Sequence, residues 1–337
     1  MPSELNQARL VGIAEHIFGD RHPLVVAGVG DDDCAVVTLN GQMLLLSCDL
    51  RNHRRYLETH AQLDFVEMGA FVVRQNCADI YGSGGVPLFL LLAVTLPGEV
   101  SEAQVSQLFI GVRDEALKFG AVVVGGDTKE GSSLVVGCTI VGSVPGEPWL
   151  LSGARSGDDI YVSGPLGGVT AAIALLELAH DGEHRAMALD VMRSASIDAR
   201  QIRLLEGIGI RCGTDISDGL ARALYNIIRR SHVGFAVDAT LVPRHPLTDL
   251  AGVRLGLDPK TFAFGYGGDF QFVVTAPSSL AKAVVAAGFQ RIGVVTETVG
   301  AEVNWGGGRV SHLADFGHDD FIDISPGNRF VRHWNGR

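Results

Sequence analysis

Gly28-Val-Gly-Asp-Asp-Asp-Cys-Ala-Val-Val37 sets three consecutive carboxylates between two glycines and an apolar run. Like charges side by side repel, so a plain solvated turn is an uncomfortable place for Asp31, Asp32 and Asp33. The apolar run leads through Asn40-Gly41, the strongest short hairpin signal, into Gln42-Met-Leu-Leu-Leu-Ser-Cys48. A β-hairpin is predicted there, with Asp49 at the end of its second strand. Aspartate beside glycine then recurs: Asp79 before Gly82, Gly84 and Gly85; Gly125-Gly126-Asp127-Thr128; Ser217-Asp218-Gly219; and Gly267-Gly268-Asp269.

Any one of these segments is ordinary turn chemistry, and an N-cap alone accounts for Asp218. Their recurrence supports a second reading. Converging strand-end carboxylates are costly in a low-dielectric site unless a partner neutralises them. Mg²⁺ suits such a site: it takes oxygen ligands, keeps several waters and is completed by substrate phosphates. Glycine lets backbone N–H groups approach those phosphates. The pattern describes a nucleotide-phosphate site neutralised mainly by metal.

Composition agrees. The chain has 337 residues and a net charge of −11, with 43 glycines and only four lysines (118, 129, 260 and 282). An acidic balance argues against nucleic-acid and anionic-membrane partners. No apolar run is long enough for a membrane span, and the N-terminus carries no signal-peptide pattern. The five scattered cysteines contain no C-x-x-C pair and read as reduced, mostly core thiols of a cytoplasmic protein. P-loop, Rossmann, nucleophile-elbow and H-E-x-x-H signatures are all missing from the sequence.

Hydrophobic periodicity predicts helices over 3–18, 60–78, 101–118, 167–179, 194–207, 218–230 and 278–287. The third opens with a capping box, Ser101 and Gln104. Strands are predicted at 33–38, 42–48, 89–96, 121–124, 133–143, 159–162, 235–237, 270–275 and 291–295, with 125–132 as a turn. Residues 181–185 read as a polar loop, and the last 25 residues carry little periodicity. Strand pairs intermixed with helices indicate an α/β chain with α+β-type mixed sheets. Pro145-Gly-Glu-Pro148 breaks the pattern and divides residues 1–148 from 149–337.

Seven segments occur in an order that resembles thiamine-monophosphate kinase, of the aminoimidazole ribonucleotide (AIR) synthase superfamily. They are Gly28–Val37, Asn76-Cys-Ala-Asp79-Ile, Gly125-Gly-Asp-Thr128, Gly153-Ala-Arg-Ser-Gly-Asp158, Asp215-Ile-Ser-Asp-Gly-Leu220, Ser231-His-Val-Gly234 and Gly267-Gly-Asp-Phe270. The resemblance covers about residues 5 to 298. It implies an AIR-synthase-like two-domain fold and a homodimer formed through the N-terminal sheet. Residues 1–148 would bind ATP and Mg²⁺. It implies metal ligands at Asp32 or Asp33, Asp49, Asp79, Asp127 and Asp218, with Asp127 and Asp218 essential to turnover. Gly125, Gly126 and Thr128 would lie against the nucleotide phosphates, with Asn76 and Ser217 beside them.

The pattern also departs from that family. Asp49 is followed by Leu-Arg51-Asn-His53-Arg54-Arg55-Tyr56, where the kinase has Val-Glu-Gly-x-His-Phe. Phe71 and Leu151 stand where the kinase has a lysine and an arginine, and Asp269-Phe270-Gln271 is one acid short. Arg51, His53 and Arg54 read either as contacts to an anionic substrate or as a solvated loop. Asp269 falls at a substrate-side position. Cys77 reads as a small buried thiol, and Trp305 and Trp334 as packing or surface aromatics. The reaction expected is in-line phosphoryl transfer from ATP to a small acceptor. The alternatives are an ATP-dependent cyclo-ligase that activates an amide, and a nucleotide-binding protein without turnover.

Overall fold

The computed structural model describes residues 7–19, 22–52, 63–179 and 184–315. The first unit starts with helix α1 (Gln7–Phe18) and strands β1 (Val25–Ala27), β2 (Ala35–Leu39) and β3 (Gln42–Asn52). Helix α2 (Phe65–Gly82), β4 (Val86–Leu96), α3 (Glu102–Lys118), β5 (Val122–Glu130) and β6 (Val135–Ser143) come next. The six strands form one sheet in the order β1-β2-β3-β6-β4-β5. All neighbours are antiparallel except β4 and β5. The predicted hairpin is present: Asn40 and Gly41 take φ of 51° and 79°, the positive values a tight two-residue turn requires. Ser101 and Gln104 form the capping box at α3, and Asp64 and Glu67 form another at α2.

The second unit contains β7 (Asp159–Val162), α4 (Gly168–Ala174), α5 (Arg185–Ser194), α6 (Ala199–Arg203), β8 (Cys212–Asp215), α7 (Leu220–Ser231) and β9 (Gly234–Asp238). Then come α8 (Leu247–Leu255), α9 (Pro259–Phe262), β10 (Phe272–Ala276), α10 (Ala281–Ala286), β11 (Gln290–Thr296), β12 (Gly300–Gly306) and β13 (Arg309–His312). Its sheet runs β13-β12-β9-β11-β7-β10-β8, antiparallel except between β12 and β9. No described helix is long and apolar enough to cross a membrane.

Several expectations change. Residues 125–130 are strand, not turn, because β5 continues alongside β4 to the pair Leu96–Glu130. Of the helix expected at 194–207 only α6 (Ala199–Arg203) is helical: α5 ends at Ser194, and Asp198 caps α6 by accepting the Arg200 N–H at 3.1 Å. Helix α4 ends in a π-helical turn at Leu175–Ala179. Strands β1, β8, β12 and β13 and helices α5, α8 and α9 are additions to the expected set, and β3 runs on past Cys48 to Asn52. Part of the polar loop at 181–185 lies outside the described residues, as does Trp334.

Helix α2 organises the interior. Its Val72, Val73, Cys77, Ile80 and Tyr81 share one core with Leu45, Leu90 and Ile140 of the first sheet and with Tyr161, Phe272 and Val274 of the second. The helix is therefore covered by a sheet on each side. The far face of the second sheet packs on α7 through Leu220, Leu224, Ile227 and Phe235. The far face of the first sheet leaves Leu50, Phe89, Leu91 and Val122 exposed.

At its C-terminal end α2 meets β8 backbone to backbone. A Cβ on Gly82 would lie 2.6 Å from the Asp215 nitrogen and 3.0 Å from the Thr214 carbonyl carbon. No flexible side chain can yield there. Gly82→Ala is expected to lower unfolding stability by about 1–3 kcal/mol, the usual range for overpacking a core. Urea denaturation checks this; an unchanged midpoint would show that α2 and β8 can move apart freely.

Candidate active site

The two flanking sheets and α2 bring five aspartates to one cleft. Asp33 comes from the loop before β2, Asp49 from β3, Asp79 from α2, Asp215 from the end of β8, and Asp218 from the turn before α7. Hydroxyls and amides hold them. Thr214 Oγ1 donates to Asp33 across the unit boundary, and Ser47 Oγ donates to Asp79 at 2.5 Å. The Asp49 N–H donates to Asn76 Oδ1 at 3.2 Å, and Asn76 Nδ2 donates to the Val72 carbonyl at 2.8 Å. Ser217 Oγ donates to Asp215 Oδ1 at 3.2 Å. The Asp215 Oδ2 atom is buried with no hydrogen-bond partner.

Loss of hydration and mutual repulsion push these groups in one direction. Burial raises the Asp79 carboxyl well above the ordinary range, and Asp49 and Asp215 add to the rise. Burial does the same to Asp215, reinforced by Asp33 and Asp218. Asp33 rises mainly through desolvation, partly offset by the Thr214 hydroxyl, although part of the residue remains exposed. Asp32 stands beside it and is raised to about 8, by burial first and by Asp33 second. Its Oδ2 accepts the Leu151 N–H at 2.6 Å, a second tie between the units. The interaction uses the main chain, so the arginine-to-leucine departure at 151 leaves it intact.

Among the described residues no three His, Cys, Asp or Glu side chains already close on a common point. The donor set nonetheless fits a hard cation. Mg²⁺ is commonly held by one or two carboxylates, with waters and phosphate oxygens completing the shell. An orphaned buried carboxylate oxygen is the group such an ion would satisfy.

Asp215 is a site residue that the sequence reading misses, although it stands next to Ser217 and Asp218. It shows the signal by which the sequence singles out Asp49, an acid closing an apolar run, here Cys212-Gly-Thr-Asp215; Asp49 itself lies within β3, which continues to Asn52.

Gly125, Gly126, Asp127 and Thr128 lie elsewhere. They belong to β5, the exposed edge of the first sheet. Asp49 pairs with Cys138, Cys138 with Leu92, and Leu92 with Gly126. Three strand spacings, about 14 Å, therefore separate Asp49 from Gly126. Cys138 and Leu92, buried in the core under α2 and α3, fill the interval. Asp127 is 64% exposed and sits 3.3 Å from Lys129 Nζ. One chain does not bring Asp127 to the other aspartates. A Cβ on Gly126 would fall 1.9 Å from the Leu92 carbonyl oxygen, so only glycine allows the strand this close. Between β5 and α3 runs an open groove of about 670 Å³, with Phe109, Ile110, Leu117 and Val123 as its apolar wall and Gly125 to Thr128 along one side.

The substrate-side candidates divide. His53 and Arg54 lie outside the described residues. Arg51 is not on a solvated loop: it is 8% exposed, donates to Gln75 Oε1 at 2.7 Å and stacks 3.8 Å over the Phe71 ring. Phe71 in turn meets Phe270 with ring centroids 5.1 Å apart. Three separated departures from the kinase pattern are thus a single contact. Both carboxylate oxygens of Asp269 serve the backbone, accepting N–H groups of Gly167 at 2.8 Å and Val169 at 2.9 Å at the start of α4. Cys77 is fully buried, and Trp305 packs on Phe264 at 5.2 Å.

Residues 31–144 match the family model for the N-terminal domain of AIR synthase related proteins, and residues 155–306 match the model for the C-terminal domain. The chain is 31% identical over 275 residues to the thiamine-monophosphate kinase of Methanopyrus kandleri, covering 81% of this chain and 85% of that one. It is 26% identical to the Bacillus subtilis enzyme of the same name, covering 75% and 78%. Among solved structures, AaThiL complexed with AMPPCP and TMP superposes with a TM-score of 0.77 at 22% identity, covering 92% of this chain and 98% of that one. The E. coli hydrogenase maturation protein HypE gives 0.67 at 20% identity, covering 92% and 97%. These structural matches show a shared fold.

Desolvation lifts the Asp269 carboxyl to about 6 despite the backbone N–H groups that lower it. The folded chain therefore holds this proton more tightly than the unfolded chain. The resulting stability is complete below about pH 4 and is lost as pH rises through about 6. In urea titrations from pH 4 to 7, the stability of the wild type relative to Asp269→Asn is expected to fall as pH rises. A pH-independent difference would refute the raised value.

Proposed function

The chain belongs to the AIR synthase related protein family, and on that premise we propose that it is an ATP- and Mg²⁺-dependent kinase of a small anionic acceptor. Thiamine monophosphate is the first acceptor to test, because the Methanopyrus kandleri and Bacillus subtilis relatives carry that activity in their names. The observation that carries the proposal is the desolvated acidic cleft with its unpartnered Asp215 oxygen.

Asp33, Asp49, Asp79, Asp215 and Asp218 would hold Mg²⁺. Held there, it would supply charge neutralisation to the phosphates in phosphoryl transfer. The protein's own part is positioning. Thr214 and Ser47 orient Asp33 and Asp79 with their hydroxyls, and Asn76 fixes the strand that carries Asp49. The apolar groove along β5 suits a nucleobase, and the glycines at its edge leave backbone N–H groups accessible to phosphates. No general base is needed where alignment and electrostatics dominate the barrier.

The separation of Asp127 from the acidic cleft has a simple resolution in this reading. The exposed apolar face of the first sheet is a dimer surface, and β5 of one protomer serves the cleft of its partner.

Purified protein given ATP, Mg²⁺ and thiamine monophosphate is expected to form ADP and thiamine diphosphate. ADP and free phosphate with a dehydrated product would support the cyclo-ligase instead, and nucleotide binding without ADP would support a non-catalytic role. Asp127→Asn and Asp218→Asn are each expected to abolish turnover while the fold persists. Co-expressed, they are expected to recover about a quarter of wild-type activity, since half the dimers would carry one intact site. No recovery would overturn the shared site, and turnover in both single variants would overturn the metal-ligand roles.

A further inference from the structure

Arg51, Phe71 and Phe270 form a continuous column from the first sheet to the second. The Arg51 guanidinium carbon lies 3.8 Å above the Phe71 ring, and the Phe71 and Phe270 rings meet at 5.1 Å with planes inclined by 59°. Arg74 stands at the side, 5.6 Å from the Phe270 ring, and its Nη1 donates to the Ala195 carbonyl at 2.5 Å. The two rings are nearly inaccessible, at 6% and 3% exposure. Such cation–ring contacts contribute more when desolvated.

Each end of the column is tied to one half of the acidic cleft. Arg51 and Asp49 lie on the same face of β3, two residues and about 7 Å apart. Arg51 is fixed to Gln75, and the next residue, Asn76, receives the Asp49 N–H. At the other end Phe270 precedes β10, where Phe272 pairs with Asp215. The Ile216 N–H donates to the Gln271 carbonyl at 2.8 Å, which closes the link. Phe270 holds φ at 53°, a backbone state that a bulky residue keeps only when its packing demands it.

We propose that this column positions the two halves of the acidic cleft, Asp49 and Asp79 against Asp215 and Asp218, at the spacing a divalent cation needs. Arg51 and Phe270 are positioning residues that act through Asp49 and Asp215. The inference rests on the cation site proposed above.

Mn²⁺ binding, followed by its electron paramagnetic resonance signal without nucleotide, tests it. Arg51→Met and Phe270→Leu keep apolar volume but break the column. Each is expected to weaken Mn²⁺ binding roughly tenfold, the low end of what loss of a supporting partner costs a metal site. Phe270→Tyr keeps the ring and is expected to bind as the wild type does. Urea titration of each variant separates folding from positioning. Wild-type Mn²⁺ affinity in both Arg51→Met and Phe270→Leu, with only stability reduced, overturns the inference and leaves the cation site standing. A wild-type protein that binds no Mn²⁺ overturns the cation site and the inference together.

Discussion

Burying α2 between two sheets is the constraint on which the rest of the structure depends. A helix packed on one face leaves the other for solvent, where polar residues cost nothing. Here both faces are covered, so Asn76 and Asp79 had to find partners inside. Asp79 found one in the Ser47 hydroxyl, and Asn76 found two, in the Asp49 N–H and the Val72 carbonyl. The contact at Gly82 brings the β8 backbone against the helix end, which puts Asp215 within electrostatic range of Asp79. Domain packing and assembly of the acidic cleft are thus one event.

That arrangement opposes stability and serves chemistry. Carboxylates that share a desolvated cleft take protons or a cation, and each alternative relieves the same repulsion. Hydroxyl donors from Ser47, Thr214 and Ser217 orient the acids without neutralising them. The cleft therefore keeps its charge demand, as the proposed metal-dependent phosphoryl transfer would require. Within one chain lysine supplies little of the compensation: Lys118 pairs with Glu115 on α3, and Lys129 lies beside Asp127 on β5, away from the cleft.

Much of this is legible in the sequence because it depends on local chemistry. Asn40-Gly41 has few alternatives to a tight turn, and Ser101 with Gln104 has few to a helix start. The ordered Gly/Asp segments identify the fold because each marks a junction between one element and the next. The errors share a different cause. Gly125-Gly126-Asp127-Thr128 has the composition of a turn, yet pairing with β4 makes it a strand, and glycine is there for the Leu92 carbonyl. Strands β12 and β13 alternate too weakly to announce themselves; β12 is set by parallel pairing with β9, a partner more than sixty residues away. Asp215 escapes notice because its strand is four residues long. Arg51, Phe71 and Phe270 read separately as departures, and only the fold reveals that they touch.

Asp32 grips the second unit through the Leu151 main chain, and this has a consequence for how the joint persists. A bond to an amide N–H belongs to the path of the chain and not to the residue that occupies it. Any amino acid except proline would present the same donor, but the Leu151 side chain is itself 4% exposed and packed in the core of the second unit. One residue thus serves the joint twice, its amide holding the first unit while its side chain anchors that amide in the interior of the second, so drift at 151 is limited by core packing and not by the bond to Asp32.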